Sequence, residues 1–330
     1  MISKVPDLSS LQEKIKMSAT DNINGINRRT FSQKAALGFG ATMLSPWPDL
    51  FAASGNSPVV DTHIHCFAGP ADTRFPYHAR ATYKPDITAT PEFLLKCMQE
   101  GGVDYAVIVH PEPYQDDNRY LEHCLDVGKG KLKGTILVFA DRIGSMDQLS
   151  RLAKRGDVIA VRVHAYLPDR LPPFGKPEMR QLWKLAADNG LAMQLHFEPK
   201  YASGFEPYLK EFRQTHVILD HLGRPLQATS PLEYKLIESW ANYPNTIIKF
   251  SNLSPVQASP DPAIMPYVQQ MIKAYGPDRM IWGGGFNHTY TGAKYQQDQA
   301  YARSFLTNLS AAEKARIMGG NAARLFKFKV

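Results

Sequence analysis

From Pro58 onward, short apolar runs alternate with longer stretches whose apolar residues recur at helical spacing. The short runs are Val59–His65, Tyr105–Val109, Thr135–Phe139, Val158–Val163, Leu191–His196, Val217–Leu219, Thr246–Phe250 and Arg279–Trp282. Consecutive apolar positions of this length mark strands buried on both faces. Between them, Pro91–Glu100 follows Thr90, an N-cap with proline in the first turn. Pro177–Asn189 stops at Gly190, and Ser310–Met318 precedes Gly319 and Gly320. Helical periodicity is weak between the sixth and seventh strands. Eight strands with intervening helices predict an α/β fold, a (β/α)8 TIM barrel. The longest insertion, 66–89, is rich in Pro, Tyr and Arg and is expected to fold over the barrel mouth.

The chain has 330 residues, which suits one barrel plus a surplus placed mostly at the N-terminus. Two regions are expected: 1–54, an N-terminal extension, and 55–330, the barrel domain. In the extension, Arg28-Arg29-Thr30-Phe31 followed by Lys34 and the apolar run Ala35–Leu44 resembles a twin-arginine export signal. Ala52-Ala53-Ser54 offers small residues for a signal-peptidase cut, and Met17 offers a second start site. A periplasmic location is the expectation. The apolar run is too short to span a bilayer, so no membrane span is expected.

The net charge of +7 is spread without a basic block, which argues against nucleic acid as a partner and mildly favours an anionic substrate. Three cysteines, with no CxxC, are expected to be buried free thiols. Oligomeric state leaves no mark in the sequence.

In such a barrel the reacting groups stand at the C-terminal ends of strands. Seven of the ten histidines fall there: His63, His65, His110, His164, His196, His221 and His288. Strand alternation turns His63 with His65, Arg162 with His164, and His196 with Glu198 to the same side. Neutral imidazoles can polarise a carbonyl, bind a metal or take a proton, and arginine grips a carboxylate in bidentate fashion. That combination suits an ester, lactone or carboxylated small molecule.

The segment Asp61-Thr-His-Ile-His-Cys-Phe-Ala-Gly-Pro70 resembles the first-strand signature of the amidohydrolase-related superfamily, whose barrels are metal-dependent-hydrolase-like. Phe75-Pro-Tyr77, Arg80-Ala-Thr-Tyr83-Lys-Pro85, Asp117-Asn118, Asp220-His-Leu-Gly-Arg-Pro225, Lys249-Phe-Ser251 and Gly320-Asn-Ala-Ala-Arg-Leu-Phe326 are similar, in order, to the 2-pyrone-4,6-dicarboxylate lactonase branch. The resemblance implies that His63, His65 and His221 polarise the scissile carbonyl; His164 and His196, at their strand ends, are expected beside them in catalysis. It implies that Tyr83, Arg162, Arg224 and His288 bind substrate; His110 completes that set. The branch works without a metal, so no cofactor is expected. Zinc, if bound, would take His63, His65 and His196.

Three positions depart from the pattern. Gly285 stands where the branch carries its catalytic aspartate, in Gly283-Gly284-Gly285-Phe286-Asn287-His288. Pro255 replaces a substrate-binding arginine, which argues against a dicarboxylate held in the relatives' manner, and His164 replaces an asparagine. A relocated base is one explanation, with His110, Glu112, His164 and Glu198 as candidates. The preferred expectation is a hydrolase opening the lactone ring of a small carboxylated compound. The alternatives are a decarboxylase of an unsaturated or aromatic acid, and a catalytically silent binder of a carboxylated ligand.

Overall fold

The computed structural model describes residues 57–253 and 260–329. The export-like segment and Pro255 lie outside the described residues. Eight parallel strands follow one another around the sheet in chain order: β1 Val60–Ile64, β2 Tyr105–Val109, β3 Leu132–Leu137, β4 Val158–Ala165, β5 Ala192–Phe197, β6 Val217–Leu219, β7 Thr246–Phe250 and β8 Met280–Trp282. β8 returns against β1, so the sheet curls into the expected barrel. The third strand begins three residues earlier than the apolar pattern suggests, because Lys133 and Gly134 interrupt that pattern while still pairing with β2.

Ten helices accompany the strands among the described residues: α1 Pro91–Gly101, α2 Arg119–Val127, α3 Ser145–Ala153, α4 Pro177–Asp188, α5 Glu206–Glu211, α6 Pro231–Ser239, α7 Met265–Tyr275, α8 Gly292–Ser304, α9 Ala311–Ala315 and α10 Asn321–Leu325. Thr90 caps α1 by accepting the Phe93 N–H, and α9 opens with a reciprocal Ser310–Glu313 capping box. The expected helix 310–318 is thus split: a π-helical turn, Arg316–Gly320, separates α9 from α10. The faintly patterned stretch after the sixth strand does form a helix, α6.

The barrel interior is layered. At the N-terminal end of the strands, Val60, Val107, Ala160, Ala192, Ile218, Ile247 and Ile281 form an apolar floor. Ala322, Ala323, Phe326 and Phe328 of the C-terminal segment pack under it as a plug. Two residues further along the strands stand Thr62, Arg162, Gln194, Asp220 and Lys249, all buried and polar. The histidines come above that. The insertion 66–89 is closed by a Phe67–Ala89 bridge and rests on the turn after β2, where His78 N–H donates to the Pro113 carbonyl at 2.8 Å.

The plug is held by close backbone approach. A Cβ on Gly319 would stand 1.8 Å from the Pro58 carbonyl oxygen, whereas one on Gly320 would meet nothing nearer than 3.7 Å. Gly319→Ala is therefore expected to lower the unfolding free energy by about 1–3 kcal/mol through overpacking. Gly320→Ala should leave it nearly unchanged. Urea denaturation of the two variants checks the contrast.

Candidate active site

The polar layer is centred on Asp220. Arg162 donates from Nε at 2.9 Å and places Nη2 at 2.8 Å, both on Oδ2. Gln194 Nε2 donates to Oδ1 at 2.9 Å, and Lys249 Nζ stands 3.2 Å from the same oxygen. Lys249 also donates to the Thr62 carbonyl at 2.9 Å and lies 3.5 Å from His63 Nδ1. Burial opposes ionisation of Asp220, but Lys249 and Arg162 prevail and hold its carboxyl well below the ordinary range. Burial pushes the Lys249 ammonium down to about 8, with Asp220 acting against that shift.

Above this layer lies a cavity of about 470 Å³. His63, His65, His196, His221 and Arg224 line it together with Asn252, Gly283–Gly285, Tyr290, Lys294 and Asp298. The imidazole rings form a chain: His65–His63 centroids are 5.1 Å apart, His63–His221 4.5 Å and His221–His196 5.3 Å. Two local distortions aim them. The β1–β2 register shifts between Asp61 and Ile64, which re-aims His63. After β6, His221, Leu222, Gly223 and Arg224 all have φ between 55° and 72°. Left-handed backbone costs a non-glycine residue roughly 1–2 kcal/mol, and such strain concentrates where side chains must point a particular way. Here it turns His221 and Arg224 into the cavity.

Burial is the leading cause of a lowered pKa at every one of these histidines. It takes His65 to about 4 and His221 to about 3, and holds His63 and His196 well below the usual value. All four are neutral near pH 7. His65 Nδ1 lies 2.7 Å from the Val109 carbonyl, so Nδ1 carries the proton and Nε2 offers a lone pair. His221 Nδ1 pairs with Ser251 Oγ at 2.9 Å.

Asp61, at the start of the Asp-x-His-x-His segment, organises the opposite wall. Its Oδ1 accepts the N–H groups of His63 and Gly284 at 2.9 and 2.7 Å, and Oδ2 accepts the Tyr295 hydroxyl at 2.7 Å. Two of the three consecutive glycines follow from this packing. A Cβ on Gly283 would lie 2.7 Å from His63 Cβ, and one on Gly284 would lie 2.4 Å from Asp61 Oδ2. Gly285 has no such constraint among the described residues: its Cβ would meet only the Tyr290 hydroxyl, at 3.8 Å.

Several residues expected at the site stand elsewhere. Arg162 is turned down onto Asp220 and is not among the cavity-lining residues, because a buried carboxylate holds its guanidinium. His110 is buried beside Tyr114 behind the cavity wall. His164 stacks edge-on to His196 at 5.4 Å but lines a neighbouring cavity between the β3 and β4 loops. Tyr83 is 51 % exposed and His288 is exposed on its loop; neither lines the cavity. Of the candidate bases, Glu112 borders a small separate pocket with His164, and Glu198 pairs with Lys200 at 2.7 Å.

The residues that could hold a metal are not the set expected from sequence. Among the described residues, His63, Asp220 and His221 bring ligand atoms within 4.8 Å of one another, rather than His63, His65 and His196. Yet Asp220 already carries an ammonium and a guanidinium, and Lys249 abuts His63 Nδ1. A divalent ion would have to displace Lys249 or share one carboxylate with two cations. The cluster as placed fits the lysine rather than an added ion.

A family model described as amidohydrolase matches residues 60–328. The chain belongs to the amidohydrolase family. Over 274 residues this amidohydrolase is 25% identical to the 4-sulfomuconolactone hydrolase of Rhizobium radiobacter, covering 81% of this chain and 89% of that one. It is 25% identical over 262 residues to the L-fucono-1,5-lactonase of Burkholderia ambifaria, covering 72% and 84%. Its fold resembles the crystal structure of a probable 2-pyrone-4,6-dicarboxylic acid hydrolase from Acinetobacter baumannii, with a TM-score of 0.68, 23% identity and coverage of 82% and 99%.

Asp220→Ala would leave Arg162 and Lys249 buried without their counter-charge, at an expected cost of about 3–5 kcal/mol. Because the folded pKa of Asp220 is depressed, its contribution is present above the unfolded carboxylate value and disappears as pH falls through the lower folded value. Urea denaturation from neutral to strongly acidic pH should show Asp220→Asn losing less stability on acidification than the parent.

Proposed function

We propose that this amidohydrolase opens the ring of a small lactone bearing an anionic group, by attack of water on the lactone carbonyl. The observation that carries the reading is the cavity itself: four neutral imidazoles and the Arg224 guanidinium line one space sized for a small molecule. The lactone hydrolases among its relatives support a lactone as the substrate.

In this reading Arg224 holds the anionic group. His63 Nδ1 stands 3.5 Å from Lys249 Nζ and 3.6 Å from Asp220 Oδ1; in the tautomer that accepts from Lys249, the His63 proton sits on Nε2 and donates to the carbonyl oxygen, where charge develops. His221 does the same when Ser251 donates to its Nδ1. His65 Nε2, a lone pair, accepts from the attacking water.

The test is turnover of 4-sulfomuconolactone, L-fucono-1,5-lactone and 2-pyrone-4,6-dicarboxylate, followed by ring-opening absorbance or acid release. At least one anionic lactone should be hydrolysed. Arg224→Ala should raise KM about tenfold or more with a smaller effect on kcat, and His221→Ala should lower kcat about 100-fold or more. No turnover of any lactone would leave the silent-binder reading, which Gly285 favours.

The export-like segment belongs to this proposal too: the enzyme acts in the periplasm. Replacing Arg28 and Arg29 by lysine should retain it in the cytoplasm on cell fractionation; unchanged distribution would refute twin-arginine export.

A further inference from the structure

We propose that Tyr290 and Asp298 form the proton-accepting pair that takes over from the side chain missing at Gly285. The proposal rests on the lactonase reading. Among the described residues lining the cavity, Asp298 is the one carboxylate. Among the described residues, and apart from its two chain neighbours, the Tyr290 hydroxyl is the single atom within 4 Å of where a Cβ on Gly285 would stand. It reaches the place that a longer residue 285 would fill. That hydroxyl donates to Asp298 Oδ2, while Lys294 Nζ pairs with Oδ1. Tyr290 extends from the loop after β8 and Asp298 from α8, so both enter from the same wall as Gly285.

The competing bases are weaker or committed elsewhere. Asp61 already accepts three hydrogen bonds, and the cavity histidines are held to low basicity by burial. Asp298 is half-buried, and burial together with the Asp61 charge raises its carboxyl to about 6. It remains ionised at neutral pH and is a better proton acceptor than an ordinary carboxylate. The charged and titratable groups facing it are Tyr290, Lys294 and Asp61.

The step balances without a co-reactant. The water oxygen bonds to the lactone carbonyl carbon as one of its protons passes to the Tyr290 oxygen, and the tyrosine proton passes to Asp298. The ring C–O bond then breaks with its electron pair on the ring oxygen. Asp298 returns the proton through Tyr290 to that oxygen, releasing a hydroxy acid.

The experiment uses whichever of the three lactones the parent hydrolyses. Tyr290→Phe and Asp298→Asn should each lower kcat by about 10²–10⁴-fold with KM within about threefold. The double variant should be no worse than the poorer single. The parent kcat/KM should fall on acidification through about pH 6 as Asp298 protonates. Asp298→Asn should lose that limb, because the histidines titrate lower. Gly285→Asp placed in the Asp298→Asn background should restore rate. Should Asp298→Asn not fold, Tyr290→Phe and a partly active Asp298→Glu carry the test. Full rate and an unchanged acid limb in the single variants would overturn this proposal while leaving the lactonase intact. An inactive parent would overturn both.

Discussion

A carboxylate that is almost wholly withdrawn from solvent joins four strands at the centre of this barrel. Asp220, from the end of β6, is shared by Arg162 of β4, Gln194 of β5 and Lys249 of β7. Burying any of these charges alone would be prohibitive, and together they neutralise one another. The cluster divides the barrel into a dry floor and a reactive mouth. It also sets the chemistry above it, since the Lys249 ammonium bears on His63 and the cations of the layer help keep the neighbouring imidazoles neutral. A histidine mouth built on a charged layer of this kind gains donors and lone pairs of fixed direction without adding charge of its own.

The architecture was legible because strands buried on both faces leave short apolar runs, and because Thr90, Ser310 and the terminal glycines punctuate the helices. Convergence of His63, His65, His196 and His221 was legible for a related reason: the end of a parallel strand has a known address in a barrel. What escaped was whatever depends on direction rather than address. Arg162 sits at the expected strand, but a partner on β6 draws it downward, and pairing across strands has no periodic signal. His288 follows β8 in sequence, yet its loop carries it into solvent. Asp298 was invisible because it comes from a helix, one turn beyond Lys294, where an acidic residue reads as ordinary surface.

The triple glycine has two explanations, not one. Gly283 and Gly284 are forced by His63 and Asp61, which crowd the backbone where β8 meets β1. Gly285 is free of crowding, so its lack of a side chain belongs to the chemistry or shape of the cavity rather than to packing. The Asp61 hydrogen bonds fix the backbone on either side of this contrast, and Tyr290 and Tyr295 pack edge-to-face at 5.0 Å behind it.

The plug beneath the floor reaches back from the opposite end of the chain. Val60 opens the first strand, while Phe326 and Phe328 follow all eight strands in the sequence. Until that segment docks, the apolar base of the barrel has no cover. Closure of this base therefore waits until every strand is available, and a partly made chain carries an open apolar ring until then.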